Sequence, residues 1–259
     1  MKPLFTSFWV ILFITSSLCA YTQDKVVAYV EHNPPFILVE DNHISGAAVD
    51  ILNKAMGGND ITFEFQQITW ARAYLEAQQK PNIILTGLNR TPARDPNFHW
   101  LFKLPITYNS QKVYFWQLKS SAHSSQKVSL AEARVAVVLD DYKVEYYENY
   151  MASLGLLPKK YAVSSRAQAI HMLFKKRVDY ILGGELRDAW KVTELGYDVE
   201  QIERGQLIPN ENKGIYIAMS KLSNADLVEK IKSALQHNAE NGQISEIIKF
   251  WLQKTEANE

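Results

Sequence analysis

The sharpest chemical pattern in the chain is the run from Thr86 to Arg94, Thr-Gly-Leu-Asn-Arg-Thr-Pro-Ala-Arg. It follows Ile83-Ile84-Leu85, an apolar run that reads as a buried strand. Gly87 lets the backbone turn where a side chain would obstruct it. Thr91 followed by Pro92 reads as an N-cap and a first helical position. That spacing predicts Arg94 in the first helical turn, beside backbone N–H groups that lack partners within the helix. Such a start attracts anions, and a guanidinium beside it grips a carboxylate with two parallel bonds. The run reads either as a carboxylate-recognition loop at the carboxyl end of a strand or as a capped turn with a solvent-facing arginine.

The surrounding elements decide what such a loop can face. Val26 to Val30 reads as a buried strand that Pro34-Pro35 ends. A helix over about Gly46 to Met56 repeats apolar residues at Val49, Leu52, Ala55 and Met56. Ile61, Phe63 and Phe65 alternate with polar residues as a half-buried strand does, and Thr69 is placed to cap a helix carrying Trp70, Ala73 and Leu75. Strand, helix, strand, helix, strand predicts a parallel α/β sheet. Val113 to Leu118 is extended and aromatic and reads as a crossing to a second lobe. A second α/β series then has strands at Val135–Leu139, Tyr161–Val163 and Val178–Leu182, and helices over Glu145–Leu154 and through Ala167 and Phe174. The chain returns near Leu207 to Ile215, and two helices with apolar residues at helical spacing close it. The expected division is residues 21–112 and 207–259 in one lobe and 113–206 in the other. Two lobes joined by two crossings enclose a cleft, a common place for small ligands, and hinge closure is the expected motion. A ligand favours the closed state only by touching both lobes.

Composition bounds the partners. The chain of 259 residues has 28 Lys plus Arg and 28 Asp plus Glu, so it lacks the basic excess that nucleic-acid binding usually needs. Hydrophobic residues make up 47%, ample for a core, and the six Trp and 13 Tyr include candidates for lining a pocket. Residues 1–20 read as a cleaved signal peptide, with Lys2 before an apolar stretch and Ala20 before the cut. Cys19 is the only cysteine, so the mature chain is expected to form no disulfide and no thiolate site. His32, His43, His99, His123, His171 and His237 show no metal-ligand spacing and read as surface or cap residues. There is no Walker loop, dinucleotide fingerprint or Gly-x-Ser-x-Gly, and no cofactor is expected.

The Thr86–Arg94 run resembles the Gly-x-Thr-x-Thr-x-x-Arg segment of family 3 extracellular solute-binding proteins, the polar amino-acid receptors of ABC importers. Other landmarks follow in the family's order: Asn33-Pro34-Pro35-Phe36, Gly46 to Leu52, Trp70-Ala-Arg-Ala, Phe102-Lys-Leu-Pro105, Lys213-Gly-Ile-Tyr-Ile-Ala, and Leu227 to Leu252 with Asn241-Gly242 and Phe250-Trp251. The resemblance implies an α/β, two-lobed periplasmic-binding-protein-like fold (type II) with a two-crossing hinge. It makes Arg94 the residue that holds an α-carboxylate, Asn89 and Thr91 polar loop contacts, and Trp70 an aromatic cover over the ligand side chain. Asn33 falls near the place of a second aromatic, where asparagine cannot stack. The second lobe departs further. Asp140-Asp141-Tyr142-Lys143 stands where the family often has Gly and Ser or Thr, making Asp141 and Tyr142 candidate contacts. Gly184 stands where the family has an aspartate for the α-amino group, and Glu185 lies one residue later.

The expected function is a periplasmic receptor that closes on a small polar, carboxylate-bearing solute, such as an amino acid, for ABC-type uptake or sensing. Its expected partners are the solute and an importer membrane subunit or membrane sensor, and the protein is expected to be a monomer and not an enzyme. The alternative is a cyclohexadienyl-dehydratase-like enzyme on the same fold, with Asp141, Glu185 or His32 moving a proton.

Overall fold

The computed structural model describes residues 24–34, 36–41, 43–57, 61–105, 112–119, 128–184, 187–210 and 214–256. The expected signal peptide and Glu185 lie outside these residues. The described residues begin with β1 (Asp24–Val30), a short hairpin of β2 (Leu38–Glu40) and β3 (His43–Ser45), and α1 (Ala47–Met56). Next come β4 (Ile61–Gln67), α2 (Trp70–Gln79), β5 (Ile83–Asn89) and β6 (Phe98–Lys103). The second group is β7 (Val113–Leu118), β8 (Val135–Val138), α3 (Tyr142–Ser153), β9 (Lys160–Val163), α4 (Arg166–Phe174), β10 (Tyr180–Gly183), α5 (Arg187–Glu194) and β11 (Ile202–Ile208). The chain ends with β12 (Ile215–Ser220), α6 (Ala225–Glu240) and α7 (Gln243–Glu256).

Two five-stranded sheets result, in the orders β4-β1-β5-β12-β6 and β11-β7-β10-β8-β9. The chain passes between them twice, after β6 and after β11. In the first sheet β4, β1 and β5 run parallel, while β12 runs antiparallel to both β5 and β6. The second has the same mixture: β10, β8 and β9 are parallel, and β7 is antiparallel to β10 and β11. The expected return at Leu207 falls inside β11, which still pairs with β7 at Ile208↔Val113.

Each sheet is covered on both faces. Val26, Ala28 and Ile84 pack with Ile51 and Leu52 of α1 and with Leu227, Ile231 and Leu235 of α6. Tyr29, Leu85 and Leu88 point the other way and meet Ala73, Tyr74 and Ala77 of α2. This is the alternation a strand imposes on its side chains. In the second sheet Phe115 and Val135 pack on Tyr147 and Met151 of α3, while Trp116, Ala136 and Ile181 pack on Ile170 and Leu173 of α4. Gly46 seats α1. At φ 122° it brings the chain so close to Phe36 that an added Cβ would lie 2.4 Å from the Phe36 carbonyl oxygen, which accepts a bond from Ala48 N–H at 3.0 Å.

Candidate functional site

A cavity of about 360 Å³ lies between the two sheets. From the first lobe it is lined by the residues after β1, the start of α2, the end of β5 and Arg94. From the second it is lined by the starts of α3 and α4 and by Lys191 of α5.

The arginine loop differs from its expected form. β5 does not stop before Gly87 but runs through it to Asn89. Gly87, at φ 81°, has no partner in β12, since Thr86 pairs with Ile217 and Leu88 with Tyr216. This bulge needs the left-handed conformation that glycine tolerates. No α-helix starts at Pro92. The N–H groups of Arg94 and Asp95 both bond to the Thr91 carbonyl, and a short 3-10 turn at Asp95–Asn97 leads into β6. The physical reason is Pro96: four residues after Pro92, it has no N–H to give to the Pro92 carbonyl and would clash with it in a helix.

Arg94 is buried nonetheless and lines the cavity. Nη1 donates to the Asn89 carbonyl at 3.0 Å. Nη2 donates across the cleft to the Asp140 carbonyl of the second lobe. The guanidinium lies over Tyr74 at 5.0 Å and Trp70 at 5.7 Å, so aromatic faces and carbonyl dipoles compensate its charge.

The other sequence candidates divide. Asn33, Trp70, Asn89, Asp141 and Tyr142 line the same cavity as Arg94. Thr91 does not; its hydroxyl is buried without a hydrogen-bond partner among the described residues. Asp141 belongs to a helix start rather than the expected loop: α3 begins at Tyr142, and Asp141 caps it by accepting from Lys143 N–H at 3.1 Å. Its other oxygen accepts from Lys143 Nζ at 2.6 Å and lies 3.8 Å from Arg166. Burial alone would raise this carboxyl, but Lys143, Arg166 and the N–H bond outweigh it and take it down to about 2. Asp141 is thus already held by two cations. The Gly184 carbonyl accepts from Trp116 Nε1 at 2.9 Å.

Three charged lining residues, Glu31, Arg166 and Lys191, carried no signal recognised in the sequence. Glu31, directly after β1, accepts from the backbone of Trp70; burial pushes its carboxyl up, while Arg166 and Lys191 pull it back down. Arg166 is the first residue of α4, and Lys191 bonds Glu194 at 2.8 Å. His32 is not a surface histidine. It lines the cavity, its Nδ1 accepts from Val39 N–H at 2.8 Å, and burial lowers its pKa. The usable signal was position: Glu31 and His32 follow the carboxyl end of a strand, where α/β clefts form, and Arg166 opens a helix behind Ser165. Nothing in the sequence pointed to Lys191. Among the described residues no three His, Cys, Asp or Glu side chains gather as a metal site, and no helix is long and apolar enough to cross a membrane.

The fold is that of a two-lobed α/β protein with a cleft between its lobes. The sequence matches the bacterial extracellular solute-binding proteins of family 3 over residues 26–254, and the chain belongs to that family. Among solved structures it is similar to a histidine kinase sensor domain with similarity to periplasmic binding proteins (17% identity, TM-score 0.68, covering 89% of this chain and 96% of that one). It is also similar to a mutant of ArgBP from T. maritima (16%, 0.67, 88% and 95%). A third likeness is to ArtJ, an arginine-, lysine-, histidine-binding protein from Geobacillus stearothermophilus (20%, 0.63, 88% and 94%). No curated protein matches the sequence.

Proposed function

We propose that the protein is a periplasmic receptor that closes on a small carboxylate-bearing solute and presents it to a membrane partner, an ABC importer or a sensor. It acts as a monomer and without chemistry on the solute. The observation that carries this reading is Arg94. It is buried in the wall of an interlobe cavity, and its second guanidinium nitrogen reaches the facing lobe. A ligand carboxylate takes the place of the Asp140 carbonyl as the acceptor of that nitrogen, where the two lobes meet. Trp70 and Asn89 flank it, and Tyr142 faces it from the second lobe.

The test is calorimetric titration of the mature protein, unfolded and refolded to remove any bound solute. The panel is arginine, glutamine, glutamate, succinate and butyrate. At least one carboxylate is expected to bind, and Arg94→Ala is expected to weaken it by about 2–5 kcal/mol, roughly 30-fold or more, because a buried charged partner is lost. Unchanged affinity in Arg94→Ala would remove the carboxylate assignment.

A further inference from the structure

The second-lobe wall of the cleft has an unusual charge pattern for a site that would receive an ammonium group. Lys143, Arg166 and Lys191 all line the cavity opposite Arg94. Two helices open onto it there, α3 at Tyr142 and α4 at Arg166, and α4 has no acidic residue in its first turn. Helix starts add positive potential to that of the side chains. Set against these, the lining carboxylates among the described residues are Glu31 and Asp141, with Glu194 beside Lys191. Among the described residues four lining cations outnumber them even when Glu194 is included. Asp141 is engaged by Lys143 and lies near Arg166, and Gly184 supplies no carboxylate. An ammonium group brought to this wall meets cations. An anion meets donors, because lysine ammonium and guanidinium groups carry N–H donors and no acceptors.

We propose that this wall holds a second acidic group of the ligand: the solute is a small dianion, a dicarboxylate, with one end at Arg94 and the other against Lys143 and Arg166, with Lys191 beside them. The inference rests on the receptor reading above and specifies its solute. It assigns Arg166 and Lys191 the selection of the ligand's second charge, whereas Arg94 serves any carboxylate.

The experiment titrates the refolded mature protein with succinate, glutarate and adipate, and with butyrate, valerate and hexanoate as matched monoanions. Glutamate, glutamine and arginine complete the set, in a buffer free of phosphate and citrate. At least one dicarboxylate is expected to bind tenfold or more tightly than its monoanion. Arg166→Gln and, separately, Lys191→Gln are expected to remove most of that preference while leaving the weaker monoanion affinity near that of the unaltered protein, with circular dichroism checking that each variant is folded. Raised salt is expected to weaken the dianion more than the monoanion. Tighter binding of arginine or glutamine than of every dianion would overturn the inference while leaving the carboxylate receptor intact. A dianion preference that survives both substitutions in folded protein would also overturn it. No binding by any of the acids would overturn both readings together.

Discussion

Asp141→Asn isolates one charge at the rim of the cleft. Asparagine keeps the side-chain oxygen that accepts from Lys143 N–H, so the cap on α3 stays. What is lost is the counter-charge to Lys143, whose side chain is 5% exposed. The carboxyl sits at about 2 instead of 3.8, a difference worth about 2 kcal/mol at 1.36 kcal/mol per pKa unit. Leaving a buried cation uncompensated typically costs about 3–5 kcal/mol. The expected loss is therefore about 2–5 kcal/mol, or a melting temperature lower by roughly 5–15 °C. Circular dichroism melts at neutral pH measure it. The double variant Asp141→Asn with Lys143→Met removes both charges and is expected to recover at least half of the loss. The pH dependence has a fixed sign. A carboxyl depressed by folding stabilises fully above its unfolded value, 3.8, and that contribution disappears as pH falls through its folded value near 2. The native and Asp141→Asn curves should thus converge as pH drops from 4 towards 2. A single variant within 1 °C of native at neutral pH, or a double variant no better than the single, would refute the reasoning.

Two further substitutions test the scaffold. Gly46→Ala forces a Cβ onto the Phe36 carbonyl at a φ that L-residues rarely adopt; a loss of about 2 kcal/mol or more is expected in urea unfolding, and a neutral result would mean that the α1 entry relaxes freely. Ser223→Ala leaves Asn82 N–H, now bonded to the Ser223 hydroxyl at 2.8 Å, without that acceptor; about 1–3 kcal/mol is expected, with faster hydrogen exchange at Asn82.

Much of the scaffold was legible because its signals are local. The Val26–Val30 and Val113–Leu118 runs and the periodicity of α1 and α6 each lie in one short window. The hairpin of β2 and β3, the strand β6 and the strand β11 were missed. β6 alternates poorly between apolar and polar, Phe-His-Trp-Leu-Phe-Lys, and β11 carries Gly205 and a register shift between Arg204 and Leu207. The loop at Arg94 was read as a helix because Thr91-Pro92 satisfied the start rule, while Pro96 forbade its continuation. Site residues scattered along the chain were harder. Arg94 announces itself through its neighbours, but Glu31, Arg166 and Lys191 acquire meaning only when three separate segments meet across the cleft. Tertiary electrostatics has no sequence window.

The strand order of the first sheet also sets a schedule for folding. β6 is an edge strand whose sheet neighbour is β12, and about 110 residues separate Lys103 from Ile215. Every strand of the second sheet, by contrast, comes from one unbroken run that ends at Ile208. A chain emerging amino end first therefore has the whole second sheet in hand while β6 still lacks its neighbour. Closing an unstructured loop of that length costs on the order of 4 kcal/mol of chain entropy. Folding the insert first replaces the long loop by two short passages and lowers that cost. The second lobe is thus a local clamp for assembling the first, before either has anything to bind.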